Sequence, residues 1–533
     1  MTHDTALVAI LPELILLIGA CAVLLVGVMP RMGTRASALA FLTVAGALVA
    51  TLLVQVPDAA AAPFGLWVTS LTFYVRCIAL SVGALIVLVN WHQPAPSERG
   101  EYMSLILFSL LGVLLTASAN DLIVLFFAIE LVSIPTYVLV ALSRDDARSS
   151  EAAVKYFFLG AMSAAILAYG LSFLYGEAGT TTLYAFSEGA ATSNFPHSAD
   201  LGAVGLIGLL LVFCGLAFKV AAVPFHVYVA DVYEGAAAPV AGLLGFIPKL
   251  AGFVALVKIF AAFNWELPEA VTWMVLIVAA VTMTAGNVLA LLQKNVKRLL
   301  AYSSIAHTGY MLMALLVGPV AGLGPLSDGV AALLFYIAIY GVMNLGAFAA
   351  LSAFRSAGHE VETFESLGGL AKRAPVAAFA LAVCVFSLMG FPPTAGFLGK
   401  LYLFSSAFSL PESHPFHQPL VLLVILGVVN AAIGAAYYLR IIMAVYMGEE
   451  VERAEPVGGA PVRWGLGLCS AAMLIVFIWP TGLADRARSA TVVLHQSVLR
   501  NAGKMAATES EANTSHPLAS RRLPNAVLPV ASD

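Results

Sequence analysis

Long unbroken apolar runs alternate along this chain with short polar interruptions. The runs cover roughly 7–29, 36–56, 71–91, 103–119, 121–142, 152–175, 204–225, 238–262, 270–292, 299–318, 330–354, 375–410, 419–447 and 463–481. A hydrocarbon core about 30 Å thick needs ~20 apolar residues per helical crossing. Strands of a membrane barrel would alternate apolar with polar positions, and these runs do not. The pattern therefore predicts an all-α polytopic membrane protein of about fourteen transmembrane helices. The run 375–410 is too long for one simple crossing and contains Phe391-Pro392-Pro393, which predicts a discontinuous helix. The first run has no basic segment before it and no small-residue cleavage site, so it is expected to be a retained span.

Composition agrees. Of 533 residues, 61% are hydrophobic and 11% charged, with a mean hydropathy of +0.94. Such a balance leaves no room for a large soluble domain or for a sizeable nucleotide- or cluster-binding unit. The formal charge of −4 gives no reason to expect nucleic acid. The five cysteines (Cys21, Cys77, Cys214, Cys384, Cys469) lie in apolar runs without ligand or redox spacing, and read as small core side chains. There is no phosphate loop, HExxH or CxxC pattern. His414 and His417 are an isolated pair in one loop and are not expected to hold a metal.

Loop charges set the orientation. With the spans numbered in order, the loops after odd-numbered spans hold Arg31, Arg35, Arg99, Arg144, Arg148, Lys155, Lys294, Lys297, Arg298, Arg355, Lys372, Arg373, Arg453 and Arg463. No Lys or Arg lies between an even-numbered span and its successor. The positive-inside rule then puts the odd loops in the cytoplasm and both termini outside. The stretch 482–533 runs against the rule with Arg486, Arg488, Arg500, Lys504, Arg521 and Arg522; its Ser/Ala/Pro-rich composition predicts a mostly disordered tail.

Six of the 26 Lys+Arg residues remain, inside the spans: Arg76, Lys219, Lys249, Lys258, Lys400 and Arg440. A charge at mid-span costs at least about 2.5–3.5 kcal/mol and faces a partner or a wet cavity. Glu130 in span five has no cation within a helical turn, so its partner must come from another helix. Lys219, five residues before Pro224 in span seven, is the candidate. Such a pair lets each group set the other's protonation; the structural alternative is a static ion pair pinning two spans. Lys249 follows Pro248, where Gly242 and Gly245 loosen the same turn and the helix should break. Burial there favours the uncharged amine, so this lysine can take up and give up a proton. Lys258 lies nine residues on, about 13 Å along the axis, and is expected to snorkel to the interface, as are Arg76 and Arg440. Lys400, beyond the second break, reads as the other half's counterpart of Lys219 or Lys249. His307 lies between the halves and could relay a proton. His226, Tyr302 and Tyr310 are candidates for supporting the path, with packing roles as the alternative.

A weak internal match joins these breaks. Ala222-Val223-Pro224-Phe225-His226 in span seven and Gly390-Phe391-Pro392-Pro393-Thr394 in span twelve share a small, apolar, Pro, x, polar pattern. Five-span repeats would be inverted relative to each other, and Pro-interrupted helices at matching places point to an ion path at the midplane.

A glutamate in span five, lysines in spans seven and eight, SLGGLAKRAP (366–375) and GFPPTAGFLGKLYLF (390–404) together resemble the antiporter-like subunits of respiratory complex I over residues 7–481. The resemblance is strongest to the subunit N type of bacterial NADH–quinone oxidoreductase, because Lys400 is not a glutamate and no long lateral helix follows the last span. It implies N-terminal helices at 1–102, inverted five-helix repeats at 103–262 and 263–447, a last helix at 448–481 and the tail 482–533. It also implies a proton channel through Glu130, Lys219, Lys249 and Lys400. The expected partners are the other membrane subunits of complex I, the lipid bilayer, protons and water, in a bacterial inner membrane. NADH, FMN, iron–sulfur clusters and quinone would belong to other subunits, with no cofactor or metal in this chain. The alternatives are a Mrp-type cation/proton antiporter subunit, which shares this pattern without electron transfer, and a purely structural scaffold.

Overall fold

The computed structural model describes residues 7–29, 33–54, 60–62, 65–142, 146–187, 190–196, 201–320, 327–356, 359–449, 454–492 and 494. Its helices follow the apolar runs. α1 (Leu11–Val28), α2 (Gly33–Leu53), α3 (Ser70–Val89), α4 (Arg99–Ser118), α5 (Leu122–Leu142) and α6 (Ala147–Ala178) fill the first six. The seventh holds α7 (Ala203–Lys219), followed by the short α8 (Val229–Gly235). The eighth is split into α9 (Ala238–Leu244) and α10 (Ile247–Ala262). Then come α11 (Glu269–Leu291), α12 (Val296–Val317), α13 (Gly329–Ser352) and the short α14 (Leu370–Arg373). The twelfth run is split into α15 (Pro375–Met389) and α16 (Ala395–Ser406), and α17 (His417–Met447) and α18 (Gly459–Ile478) complete the set. Among the described residues twelve segments, with α9–α10 taken as one, are long and apolar enough to cross a membrane. The remaining two runs hold the shorter apolar helices α7 and α15, because both end in breaks.

Loop contacts sort the connections onto two faces. On one face Ser37 Oγ donates to the Trp91 carbonyl (2.8 Å), and Lys155 and Arg298 both reach Asp231. There Val296 N–H donates to the Glu362 carbonyl (2.7 Å), and the short strand Phe354–Ser356 pairs antiparallel with Ala454–Pro456. These are the odd, cation-rich loops; Arg31, Arg144 and Arg453 lie outside the described residues. On the other face Asn120 N–H donates to the Gly65 carbonyl (2.7 Å), Leu183 N–H to the Asn120 carbonyl (2.9 Å), and Ser409 Oγ to the Ser327 carbonyl (2.6 Å). Successive runs therefore cross in opposite senses.

The expected tail is ordered at its start. Residues 481–492 are helical, with Ala484, Ala487 and Ala490 buried, and Thr491 Oγ1 donates to Asp328 Oδ2 (2.8 Å). Alanine at three-residue spacing lets this helix lie close against the bundle despite its polar composition. Residues 495–533, with Arg500, Lys504, Arg521 and Arg522, lie outside the described residues.

The expectation that Lys258 and Arg76 snorkel is overturned. Lys258 is buried and donates to the Ala119 carbonyl (2.8 Å), capping the exposed carbonyl end of α4. Arg76 is buried in a fork to Glu13, with Nε to Oε1 and Nη2 to Oε2 both at 2.8 Å. Axial position measured depth but not the acceptor offered by a neighbouring helix. Arg440 reaches the carbonyls of Leu291 (2.9 Å) and Gln293 (3.3 Å) at the end of α11, over the Phe364 ring. Lys297, placed in a loop by its sequence position, is fully buried. It donates to the Ala236 carbonyl (2.6 Å) and reaches Glu360 and Glu362, both at 3.3 Å.

Candidate proton path

The breaks after α7 and after α15 begin in the same way. After α7, Ala221 is left-handed (φ 61°) and Ala222 N–H donates back to the Ala217 carbonyl (2.8 Å). After α15, Gly390 is left-handed (φ 82°) and Phe391 N–H donates to the Phe386 carbonyl (3.0 Å). Both are six-to-one helix stops. They align Ala221 with Gly390, one residue off the alignment expected from sequence. In this register Lys400, ten residues after Gly390, falls opposite Asp231 rather than Lys219 or Lys249. Side chains stitch the first break: Thr282 Oγ1 accepts from Val223 N–H (3.0 Å) and Thr308 Oγ1 donates to the Val220 carbonyl (2.6 Å).

Glu130 and Lys219 meet. Lys219, the last residue of α7, donates to Glu130 Oε1 at 2.9 Å, Ser133 Oγ at 2.8 Å and Tyr137 Oη at 3.5 Å. Glu130, Ser133 and Tyr137 occupy positions i, i+3 and i+7, one face of α5. The pair is enclosed, with side-chain exposures of 4% for the lysine and 14% for the glutamate. A lysine at the carbonyl end of its own helix is also favoured by the helix dipole.

Beyond Lys219 lies a cavity of about 10 Å³, room for about one water, with Tyr156, Tyr228, Tyr233 and Lys249 in its lining. Pro248 stands in the first turn of α10, and the break precedes it at Gly245–Phe246. Lys249 donates to the carbonyl of Ser304 and to its Oγ (2.6 Å), and lies over the Tyr340 ring at 5.3 Å. No ion pair joins it to a carboxylate among the described residues, unlike Lys219.

His307, one turn along α12 from Ser304, is buried between two tyrosine hydroxyls. Its Nδ1 is 2.5 Å from Tyr336 Oη and its Nε2 3.0 Å from Tyr438 Oη. A neutral imidazole donates from one nitrogen and accepts at the other, so a proton can arrive on one side and leave on the other. Tyr438 Oη in turn contacts Ser303 Oγ. Two rings bridge the histidine to the lysines. Tyr340 lies 5.2 Å from His307 and under Lys249; Tyr310 lies 5.9 Å from His307 and 5.4 Å from the Lys400 ammonium.

Lys400, on α16, folds back to donate to the Met389 carbonyl (2.8 Å), the carbonyl end of α15. A Cβ at Gly390 would come within 2.8 Å of Lys400 Cδ, so glycine serves both the left-handed turn and the lysine beside it. Pro392 and Pro393 are exposed within this break. His226 sits in the first break with Nδ1 buried. Tyr302 is half-buried and makes no side-chain hydrogen bond among the described residues, so the structure leaves it out of the network. Ser133, Tyr137, Ser304, Tyr336, Tyr340 and Tyr438 were not singled out from sequence. The i+3 and i+7 spacing from Glu130 carried the signal for the first two.

Outside the spans, Asp231 in α8 gathers Lys155 (2.9 Å) and Arg298 (2.8 Å). Partial burial pushes its carboxyl up, but the hydrogen bonds from Lys155 and Arg298 outweigh that and hold it below the ordinary carboxylate range. Among the described residues no group of three His, Cys, Asp or Glu side chains is placed to hold a metal ion.

Known proteins are similar to this chain in sequence and fold. The family described as NADH:quinone oxidoreductase/Mrp antiporter, TM, matches residues 119–433. NADH-quinone oxidoreductase subunit N of Rhodospirillum rubrum is 35% identical over 497 residues, covering 91% of this chain and 96% of that protein. A chain of respiratory complex I from Thermus thermophilus with bound aureothin superposes with a TM-score of 0.72 at 30% identity, over 89% of this chain and 98% of that one. A chain of the Mrp complex from Dietzia sp. superposes with a TM-score of 0.76 over 94% and 100%, but at 19% identity it shows a shared fold alone. With the family match over more than half its length and 35% identity to a subunit N across 91% of it, the chain belongs to the subunit N family of NADH–quinone oxidoreductases.

Proposed function

We propose that this chain is the proton-translocating membrane subunit of a bacterial NADH–quinone oxidoreductase, working beside other membrane subunits. The observation that carries the reading is the buried succession Glu130–Lys219, cavity, Lys249–Ser304, His307 and Lys400. Each lysine in it has a different way of holding charge. Lys219 has a carboxylate, Lys249 a serine and an aromatic face, and Lys400 a helix-end carbonyl. In this reading Glu130 sets the protonation of Lys219, and a proton leaving Lys219 passes through the cavity to Lys249. His307 relays it, and Lys400 is the terminal donor or acceptor. His226 and Tyr310 support the path, and the breaks at Pro224, Pro248, Pro392 and Pro393 open backbone for it at membrane depth.

Redox chemistry with NADH, FMN, iron–sulfur clusters and quinone falls to neighbouring subunits, whose energy reaches this chain through its ionisable residues. The breaks after α7 and α15 belong to inverted five-helix repeats, α4–α10 and α11–α17. The cation-rich face is cytoplasmic and both termini lie outside, in the bacterial inner membrane. A Mrp-type antiporter is the weaker reading, because the likeness to that complex is one of fold. The test is an NADH:quinone reductase assay on the tagged chain, extracted in mild detergent with its partners. Inhibitor-sensitive activity travelling with the tag is expected. An inactive assembly of small membrane subunits would move the chain to the antiporters.

A further inference from the structure

A groove of about 250 Å³ opens between α3, α13 and α18. Its walls are apolar, with Phe73, Ile78, Ile339 and Val476 among them, and Arg486 of the helix at 481–492 closes one end. From Phe73 to Val82 the groove follows nine residues of α3, about 13.5 Å along the axis. That is close to half of a hydrocarbon core about 30 Å thick, the depth of one leaflet. The charged end lies where α3 begins and α18 finishes, at the level of the loops that carry no Lys or Arg between spans.

Arg486 is exposed and makes no hydrogen bond or ion pair among the described residues. Its acidic neighbour Asp485 faces the other flank, where its charge acts on Tyr402 of α16. An apolar slot one leaflet deep, with a free guanidinium at headgroup level, has the chemistry of a single phospholipid: an acyl chain along α3 and a phosphate on Arg486. We propose that this groove is a specific site for an anionic phospholipid. The positive charge that the 481–492 helix carries against the charge asymmetry of the loops then has a partner. None of the lysines, His307 or the tyrosines of the proton path lines this groove.

The test uses the complex containing the full chain, in phosphatidylcholine nanodiscs doped with a probe lipid carrying a photoreactive acyl chain. The probe is either phosphatidylglycerol or phosphatidylcholine, and cross-linked peptides are mapped by mass spectrometry. The phosphatidylglycerol probe is expected to label α3 and α18 about fivefold more than the phosphatidylcholine probe, the share one surface cation supplies. Arg486→Ala should remove that excess and Arg486→Lys should keep most of it, in complexes of unchanged subunit content. Equal labelling by the two probes, an excess that persists in Arg486→Ala, or label on a neighbouring subunit in place of α3 and α18 would overturn the proposal.

Discussion

Glu130→Gln isolates the question of whether the buried ion pair moves protons or only pins helices. In the wild type the Lys219 ammonium has a carboxylate at 2.9 Å and hydroxyls at 2.8 and 3.5 Å. The substitution keeps shape and hydrogen bonding but removes the counter-charge. Breaking a buried pair by removing one partner costs about 3–5 kcal/mol while the other stays charged. At about 1.4 kcal/mol per tenfold, charged Lys219 becomes about a hundred to several thousand times rarer. The two hydroxyls remain, so the lower end of that range is expected. If charged Lys219 is an intermediate, proton transfer through this chain slows by at least about a hundredfold, while the complex still assembles. The assay is dye-detected acidification in vesicles, per electron delivered to quinone, for the wild type, Glu130→Gln and Glu130→Asp. Glu130→Asp, which keeps the charge at a longer reach, should fall between. The pair Glu130→Gln with Lys219→Met separates the readings further. A static pin replaced by neutral side chains should restore function; a carrier replaced by methionine should assemble and not pump. Wild-type pumping by Glu130→Gln would refute the reasoning.

Other expectations follow from the same geometry. Glu13→Gln leaves Arg76 buried without its carboxylate and should destabilise the assembly by about 3–5 kcal/mol in thermal melts, with Glu13→Leu/Arg76→Met recovering most of it. Tyr310→Phe removes the hydroxyl that accepts from Asn287 Nδ2 (3.0 Å) beside the Lys400 ammonium and should slow pumping, whereas Tyr302→Phe should leave it unchanged. Asp231, held below its ordinary value of 3.8, contributes stability that is present above that pH and is lost as pH falls through the lower folded value. Because the side chain is 37% exposed, solvent screening limits the contribution to about 1 kcal/mol or less. A small melting difference between Asp231→Asn and wild type at pH 7 should therefore persist down to about pH 4, shrink below that, and vanish once the pH is under the folded-state value.

The membrane crossings were legible because hydropathy at 20-residue scale is dictated by bilayer thickness, and proline marked the breaks before α10 and between α15 and α16. Pairings between helices were less so. Glu130 and Lys219 stood out because each is a lone charge in its own run. Arg76 and Glu13 lie 63 positions apart, and Glu13 sits near the start of its run, where a charge draws no attention. Lys258 and Lys297 were misplaced for a related reason: sequence gives distance from an interface, but not the carbonyl of Ala119 or the carboxylates of Glu360 and Glu362 brought there by folding. The tyrosines around His307 come from three helices, at 310, 336, 340 and 438, and no spacing in the chain links one helix to the next.

Lys249 stands between the paired Lys219 and His307, and among the described residues no carboxylate pairs with it. The most direct measurement is the proton-to-electron ratio of the reconstituted complex carrying Lys249→Ala, with assembly checked by subunit composition. A central role for Lys249 in proton transfer predicts an intact complex whose pumping is abolished or strongly reduced. An intact complex with wild-type coupling would contradict it.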